Sequence, residues 1–447
     1  MIMRKHAIAA ALMMSFGVSA TASEVVLDQL SVRDHLYPAN FQAELQNNLN
    51  FFRDGVGVDA QAKVPFDTVS IVEGKVKPHY YVNTTEIGLY LNILVEVEKA
   101  GNSKALTRIL EVLDVLEETP TWEGLYFWPY DIVDGKLQPT KDGIVPAVDN
   151  ANLALALAGV AGAYLESEQV EKQQVVARIN ALLDGQKKGW IKIYDEGRDL
   201  MHAGWSTKDD AALPYFIDRK ANESRLAPLW AALITQDQGE DAIPTSAFDN
   251  MELYTHKYTF NGKEYNPMLT WDGAYFQAML PAIWLDEKSL MPNYRMVEDM
   301  TFIQMAYAAK HNIPMVSSSA TVDDAYAAFG VPHLSESKVK FNNEIHAGTT
   351  GTPHAVALSY MVNPETAVSA LKALKAYYPN IESEFGWYDA VDGAGNMSTK
   401  ILSLDQGMFV GAFLSDEINA DVARYLEARG YMDEIKDMYQ SYVPNNG

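Results

Sequence analysis

The sequence predicts an all-α chain, an (α/α)6 toroid of six helical hairpins closed into a ring, with short β-hairpins at one rim. Three observations support this prediction. Segments with helical periodicity follow one another along most of the chain. They come mostly in consecutive pairs, and a helix that is apolar on nearly every face often precedes an amphipathic one. Gly-rich aromatic stretches between the pairs are typical of short hairpins.

The first two pairs show the pattern most clearly. Residues 84–101 have a Thr cap, a Glu in the first turn and Gly101 at the end, which are start and stop signals of one helix. Residues 102–118 follow at once, so we predict an αα-hairpin with a very short connection. Residues 149–166 are apolar on nearly every face and should be buried, whereas residues 170–185 are amphipathic and should be half exposed.

Helical periodicity continues to the end of the chain, and the further predicted helices are 221–235, 273–285, 296–311, 353–362, 364–378, 405–416 and 420–431. Residues 121–131 and 194–205 are predicted to form rim hairpins. No Pro/Ser-rich linker divides the chain. We therefore predict a single domain over residues 23–447, with residues 23–80 as an N-terminal lead-in that wraps the ring.

The N-terminus has the three parts of a secretory signal peptide. Arg4 and Lys5 precede an apolar stretch at 7–20, and a small-x-small cleavage site ends at Ala22. We expect residues 1–22 to be removed and the protein to be secreted, to a bacterial periplasm. No later stretch is apolar for long enough to span a membrane.

Composition restricts the chemistry. The formal net charge of −24 disfavours nucleic acid and anionic lipid as partners. The absence of cysteine excludes thiol nucleophiles, Cys-ligated zinc and iron–sulfur clusters. Phosphate-binding loops, dinucleotide fingerprints and the G-x-S-x-G elbow are also missing, so we expect no cofactor. The 24 Tyr, 16 Phe and 8 Trp residues offer flat surfaces on which neutral sugar rings can stack.

Acid–base carboxylates are the strongest candidates for catalysis. Glycoside hydrolysis needs two carboxyl groups on opposite sides of the bond, one protonated and one able to activate water. Asp149 and Asp405 each begin an apolar helix, and Glu223 lies one turn into another, after Asn222. Each also has a simple structural interpretation: Asp149 and Asp405 as N-caps, and Glu223 as the partner of Arg225 or Arg219 in an ion pair.

Residues 384–408 concentrate acids beside aromatic rings, because Glu384 and Asp389 flank Trp387. A purely structural role seldom explains such a loop. Residues 389–396 resemble a calcium loop only faintly, without its regular spacing and its closing Glu, so no metal is expected.

Several of these stretches, in order over residues 84–416, resemble the bacterial "putative glucoamylase" (GlyAmy) family. They are "GLYFWPYD", "PAVDNANLALALAGV", "NESRLAPLWAALI", "TWDGAYFQAMLPAIW" and "LSLDQGM". This family includes the glycoside hydrolase family 144 endo-β-1,2-glucanases and is related to a domain of cyclic β-1,2-glucan synthases.

The resemblance implies an (α/α)6 barrel and an inverting hydrolase that acts on a neutral β-glucan. By its match to the Asn-Glu motif, Glu223 would be the acid, and Asp149 or Asp405 would position the water. We expect the oligo- or polysaccharide substrate to contact residues of the same motifs, namely Trp122, Trp128, Tyr130, Asn222, Trp271, Asp272, Glu384, Trp387, Asp389 and Gln406.

The chain departs from the family pattern at two places. Relatives often carry a Glu a few residues before the Asp of the inner helix, where this chain has only Asp142, further away. The related glucan synthases often have a Glu where this chain has Gln277. The linkage and the length of the substrate therefore stay open. The main alternative is a non-catalytic periplasmic glycan-binding protein on the same barrel. A polysaccharide lyase would need Arg, Lys or a cation for the substrate carboxylate, which this acidic chain disfavours. An assembly platform would show apolar patches outside the cavity.

Overall fold

The computed structural model of this protein describes residues 25–445, and helices make up most of its secondary structure. The predicted signal peptide, residues 1–22, lies outside these residues. The α-helices are α1 Gln42–Leu49, α2 Thr84–Lys99, α3 Ser103–Glu118, α4 Ala147–Tyr164, α5 Val170–Asp184, α6 Lys187–Lys192, α7 Leu226–Thr235, α8 Ser246–Asp249, α9 Tyr275–Met279, α10 Glu287–Leu290, α11 Arg295–His311, α12 Glu336–Phe341, α13 Pro353–Leu358, α14 Pro364–Tyr377, α15 Ser403–Ala428 and α16 Met432–Gln440.

Short strands occupy many of the connections between helices, as predicted. They are β1 Thr68–Val72, β2 Lys75–His79, β3 Tyr81–Val82, β4 Thr121–Trp122, β5 Leu125–Tyr126, β6 Trp128–Val133, β7 Lys136–Pro146, β8 Tyr194–Asp195, β9 Leu200–His202, β10 Gly204–Ser206, β11 Ala211–Ala212, β12 Phe216–Ile217, β13 Tyr258–Phe260, β14 Lys263–Tyr265, β15 Ser319–Ala320, β16 Tyr326–Ala327, β17 Phe329–Gly330, β18 His346–Ala347, β19 Thr350–Gly351, β20 Glu382–Ser383, β21 Gly386–Trp387, β22 Val391–Asp392 and β23 Lys400–Leu402. The sheet ordered β11-β10-β7-β6-β3 is antiparallel throughout.

Helix α2 shows how local sequence sets the end of a helix. The side chain of Asn83 accepts a hydrogen bond from the Glu86 N–H, and the Glu86 carboxylate accepts one from the Asn83 N–H. This capping box places the cap at Asn83, one residue before the predicted Thr cap, because the Asn amide reaches the third N–H of the helix. Gly101, with a φ of 99°, follows the helix end as predicted.

Six helices contact one another in succession and return to the first. Helix α2 packs against α4, α4 against α7, α9 against α13, and α13 against α15, which returns to α2. The 3-10 turn Glu223–Arg225 joins α7 to α9. Helices α3, α5, α11 and α14 lie against α2, α4, α9 and α13 respectively. Because α2 and α4 are almost wholly buried whereas α3 and α5 are half exposed, the predicted pairing of buried and exposed helices is confirmed for these pairs.

Two predicted helix boundaries are wrong. Residues 405–416 and 420–431 belong to one helix, α15, because no glycine or proline separates them. The helix predicted at 273–285 ends early and continues as the 3-10 helix Leu280–Ile283. Pro281 explains this change, since its ring removes the backbone N–H that an α-helix would need there.

The N-terminal segment extends to the end of the molecule at which the buried helices begin. Strand β1 pairs with β23 just before α15, with Thr68 opposite Leu402. The Ser403 N–H donates to the backbone oxygen of Asp67 at 2.7 Å. This pairing brings the Asp67 side chain beside the first turns of the buried helices. None of the helices within residues 25–445 is both long and apolar enough to cross a membrane.

Gly162 lies where α4 and α15 approach most closely, and we expect Gly162→Ala to destabilise the fold. A Cβ there would lie 1.8 Å from the backbone oxygen of Asp421. Since a backbone atom cannot rotate away, the free energy of unfolding measured in urea should fall by about 1–3 kcal/mol. Gly159→Ala on the same helix is the control, because its Cβ meets only side-chain atoms at 3.1 Å and should cost less. Equal losses would contradict this account.

Candidate active site

A cavity of about 620 Å³ opens where α2, α4, α9 and the turn Glu223–Arg225 begin. It is lined by Asp67, Thr68, Tyr81, Asn83, Thr85, Glu86, Trp128, Pro129, Pro146, Val148, Asp149, Asn152, Glu223, Phe276, Leu280, Ala325, Tyr326, Lys400, Leu402 and Leu404. Four of these lining residues are acids, and Lys400 is the only base among them. The wall therefore suits a neutral ligand or one that develops positive charge.

Glu223 enters the cavity from the start of a 3-10 turn. The preceding Asn222 caps this turn, because its side-chain oxygen accepts hydrogen bonds from the N–H and the hydroxyl of Ser224. The Glu223 Oε2 atom is buried and has no hydrogen-bond partner among the described residues. The pKa of Glu223 is raised to about 7, mainly by burial; the charges of Asp149 and Asp272 act in the same direction and that of Arg225 in the opposite one. Such a carboxyl can hold a proton near neutral pH.

The ion-pair interpretation of Glu223 is wrong. Arg225 instead lies 2.6 Å from Glu287, and Arg219 lies 2.9 Å from Glu336. Both arginines are thus paired with other acids. Glu223 is left facing the cavity without an ionic partner among the described residues.

Asp149 lies in the first turn of α4 and lines the cavity, but it is not the N-cap. The cap position is Pro146, which has no side-chain hydrogen bond. The Asp149 Oδ1 atom accepts a hydrogen bond from the Thr85 hydroxyl at 2.7 Å. Burial raises the pKa of Asp149 to about 6, and the charge of Asp67 adds to this effect. The side chain therefore serves the cavity rather than the helix end.

Two further acids, Asp67 and Glu86, complete this wall. Burial raises the pKa of Glu86 well above its usual range, and the Asp67 charge adds to the effect. The Asp67 Oδ2 atom accepts a hydrogen bond from the Thr68 hydroxyl at 2.6 Å. Sequence reasoning missed both residues. Asp67 lies in the lead-in segment without a motif around it, and Glu86 had been assigned only to the start of a helix.

Asp405 belongs to a buried cluster with Asp389 and His354. Asp405 lies in the first turn of α15, whose cap position is Leu402, so the N-cap interpretation is wrong here too. Burial raises the pKa of Asp405 to about 7 and that of Asp389 well above its usual range. Burial also lowers the pKa of His354 to about 4, which leaves the imidazole neutral.

The donor atoms of these three side chains lie within 4.8 Å of one another. A set of this kind can bind a cation or share protons. Two of its members already have other partners, since Asp389 accepts the Ala320 N–H at 2.6 Å and the His354 Nδ1 atom lies 2.8 Å from the Thr352 hydroxyl. The His354 Nε2 and Asp405 Oδ2 atoms have no hydrogen-bond partner among the described residues, so these contacts are compatible with either use.

Neither Asp272 nor Trp271 is among the residues that line the cavity, although the charge of Asp272 acts on the lining residue Glu223. The Gln277 side chain donates to the Asp272 Oδ2 atom at 3.2 Å, and burial raises the pKa of Asp272. Trp271 is 40% exposed and lies near Phe341, with ring centroids 6.0 Å apart. Both remain accessible to a ligand that extends beyond the cavity.

Two exposed aromatic rings border the cavity. Trp128 was predicted to bind the substrate, and it lines the cavity with 46% of its surface exposed. Tyr326, at the tip of the β15–β16 hairpin, is 60% exposed and was missed by sequence reasoning. Its segment "TVDDAYA" gives no signal of a site. Trp122 lies away from the cavity, stacked on Trp205 with ring centroids 4.7 Å apart.

Two of the residues predicted to contact the substrate lie in the core. Trp387 is completely buried and packs against Phe41 and Phe409, with ring centroids 5.9 and 5.7 Å away. Tyr130 is also completely buried, and its hydroxyl donates to the Pro120 oxygen at 2.7 Å. Both side chains face the core because their short strands turn that side toward the helices.

The remaining predicted contacts have other positions. Glu384 is exposed at the turn between β20 and β21 and does not line the cavity. Gln406 is buried, and its amide donates to the Trp387 oxygen at 3.1 Å. Asn222 caps the turn that presents Glu223. None of these three residues is among those that line the cavity.

Residues 216–413 match a family model, Glycoamylase, described as "Putative glucoamylase". This stretch is glucoamylase-like. The resemblance inferred from the sequence motifs is thereby confirmed. The matched stretch contains Glu223, Asp389 and Asp405. No curated protein gives a significant match to the chain.

Solved structures share the fold across most of the chain. An endo-β-1,2-glucanase from Talaromyces funiculosus in complex with sophorose has a TM-score of 0.76 at 14% identity, covering 90% of each chain. A "putative glucoamylase" from Bacteroides caccae has a TM-score of 0.71 at 18% identity, covering 88% of this chain and 96% of the other. An endo-β-1,2-glucanase from Chitinophaga pinensis, in complex with sophorotriose and glucose, has a TM-score of 0.71 at 17% identity, covering 87% and 96%. At these identities the similarity establishes the fold alone.

Proposed function

We propose that this protein is an exported glycoside hydrolase that cleaves a neutral β-glucan, with β-1,2-glucan favoured, on an (α/α)6 barrel. The observation that carries the proposal is Glu223, a buried carboxyl at the cavity surface whose pKa is raised to about 7. A protonated acid facing other carboxylates is the arrangement that glycoside hydrolysis requires. The shared fold of two endo-β-1,2-glucanases supports the choice of substrate.

In the proposed reaction, Glu223 gives its proton to the glycosidic oxygen as the bond to the anomeric carbon breaks. A water molecule attacks that carbon from the opposite face and gives its proton to Asp149 or Asp405, so the configuration inverts. Asp149 lines the cavity and can act directly. Asp405 lies behind the lining residues and would act through a relay of hydroxyls. The acidic wall would stabilise the positive charge that develops on the sugar ring.

The first test is a reducing-end assay of the purified protein on a panel of neutral glucans that includes β-1,2-glucan. We expect new reducing ends from at least one β-glucan, and the newly formed anomer should be α when observed early by proton NMR. The β anomer would contradict inversion. Tryptophan fluorescence that changes with a glucan, without turnover of any glucan, would instead favour the glycan-binding protein.

Trp128→Ala should weaken substrate binding, because it removes an exposed ring at the cavity edge. We expect KM for the cleaved glucan to rise about 3- to 10-fold with little change in kcat, because a factor of this size corresponds to the loss of one aromatic contact. Trp122→Ala is the matched control, since Trp122 stacks on Trp205 away from the cavity. An equal rise of KM in both variants would show that the substrate does not distinguish the two rings.

A further inference from the structure

We propose that Asp389 is a neutral carboxylic acid that donates a hydrogen bond to Asp405 and so acts as the positioning residue that keeps Asp405 ionised. This inference rests on the proposed function only for its catalytic consequence. The contact itself is structural. Carboxylate oxygens of Asp389 and Asp405 lie within 4.8 Å of each other, and the two residues are 2% and 4% exposed.

Two buried carboxylates in contact cannot both carry a charge unless cations lie nearby. Among the described residues, neither Asp389 nor Asp405 forms an ion pair with Lys or Arg. The imidazole of His354 is the nearest basic group, with its Nδ1 atom 3.0 Å from the Asp405 Oδ2 atom. Since that imidazole is buried and neutral, it does not supply the missing positive charge. One proton must therefore be held between the two carboxyls.

The surroundings decide which carboxyl holds the proton. Asp405 lies in the first turn of the long helix α15, where free N–H groups and the helix dipole favour a negative charge. Asp389 lies in a loop, and its Oδ2 atom accepts one backbone N–H, that of Ala320, at 2.6 Å. Its other oxygen is then free to carry the proton toward Asp405.

The other titratable groups that face this pair lie on separate elements. The charge of Asp67, before β1, raises the pKa of Asp405. Tyr326 on β16 is influenced by the charges of both members of the pair. Lys400 on β23 contributes its backbone oxygen, which accepts the Asp389 N–H at 3.0 Å. These groups influence the pair whether the proton is on Asp389 or on Asp405. None of them supplies a positive charge to the pair, so one shared proton is still needed.

The variants Asp389→Asn and Asp389→Leu test whether Asp389 acts as a neutral hydrogen-bond donor or as an ionised carboxylate. An Asn can keep both contacts, with its carbonyl oxygen on the Ala320 N–H and its amide N–H on Asp405. We expect Asp389→Asn to retain kcat/KM within about threefold. Asp389→Leu removes the donor and should lower kcat/KM about 10- to 100-fold, the worth of one hydrogen bond to a charged group. The acid limb of the pH dependence of kcat/KM should also move to higher pH in Asp389→Leu, because Asp405 then loses the contact that favours its ionised form. Equal inactivation of both variants would overturn the proposal.

A measurement without substrate tests the proton directly. A carboxyl whose pKa is raised by folding stabilises the native state fully below its unfolded pKa, and this stabilisation is lost as pH rises toward the folded pKa. The Tm of the wild-type protein minus that of Asp389→Asn should therefore fall as pH rises from about 4, the pKa of an unfolded Asp, toward neutral and alkaline pH. A difference that stays constant or rises with pH would mean that Asp389 is ionised, and would overturn the proposal.

The Tm experiment decides the proposal even if no glucan is cleaved, so failure of the proposed function is distinguishable from failure of this inference. A chelator arm addresses a bound cation. If EDTA lowers the Tm of the wild-type protein but not that of Asp389→Asn, and added Mn²⁺ restores it, the cluster holds a cation and the proposal is wrong. An unchanged Tm in EDTA supports proton sharing.

Discussion

Glu223→Gln should lower kcat/KM on the cleaved glucan by about 10²- to 10⁴-fold, the contribution of a general acid. The substitution keeps the size of the side chain and removes only the proton that would reach the leaving oxygen. Because burial raises the pKa of Glu223 to about 7, the wild-type rate should fall as pH rises above that value. This alkaline limb reports the loss of the acid form and should be absent from the residual activity of the variant.

Glu384→Gln is the matched control, since that acid is exposed at a hairpin turn and does not line the cavity. Its kcat/KM and its pH profile should equal those of the wild-type protein. Substrates with a better leaving group, such as aryl glycosides, should suffer less from Glu223→Gln because they need less protonation. Full activity of Glu223→Gln on the polymer would show that another group is the acid.

Arg225→Met should lower the free energy of unfolding by about 3–5 kcal/mol, the cost of leaving a buried charge without its partner. Arg225 is completely buried, and its guanidinium donates to Glu287 at 2.8 and 2.6 Å. It also donates to the Ala278 oxygen at 2.7 Å at the end of α9. The Tyr439 hydroxyl donates to Glu287 from α16. This arginine therefore ties three parts of the chain together directly behind the turn that presents Glu223.

Urea denaturation of Arg225→Met and of Arg178→Met tests this expectation. Arg178 forms ion pairs with Asp114 and Glu117 at the surface, where solvent screens the charges. Its loss should cost no more than about 1 kcal/mol. A similar small cost for Arg225→Met would mean that Glu287 takes up a proton or moves to water, so that no unpaired charge remains in the interior.

Helix positions could be predicted well because their signals are local. The apolar run at 149–166 and the Asn-Glu pair at Asn222 each carry their information within a few neighbouring residues. The same local signals misassigned Asp149 and Asp405 as caps. An acidic residue at the start of a helix gives the same sequence pattern whether its side chain binds the first N–H groups or points into a cavity. Only the residues that surround it in the folded chain distinguish these two cases.

The aromatic residues show most clearly what could not be predicted from the sequence alone. Trp128 and Trp387 both lie among acids in short hairpins, yet one borders the cavity and the other is in the core. The two-residue strand of Trp387 has no alternation from which its buried face could be predicted, whereas Trp128 is the first residue of the six-residue strand β6. Trp387 is buried because Phe41, from the distant N-terminal segment, packs against it.

The sequence by itself determined the helical class, the pairing of buried and exposed helices, the glucoamylase-like resemblance and the candidacy of Glu223. Those properties follow from periodicity, capping and motif order, which are written along the chain. Only the tertiary structure decided that Asp67 and Glu86 join Asp149 at one wall, and that carboxylate oxygens of Asp389 and Asp405 lie within 4.8 Å of each other. The pKa of a carboxyl depends on burial and on charges within a few ångströms, and both are set by segments that meet only when the chain has folded.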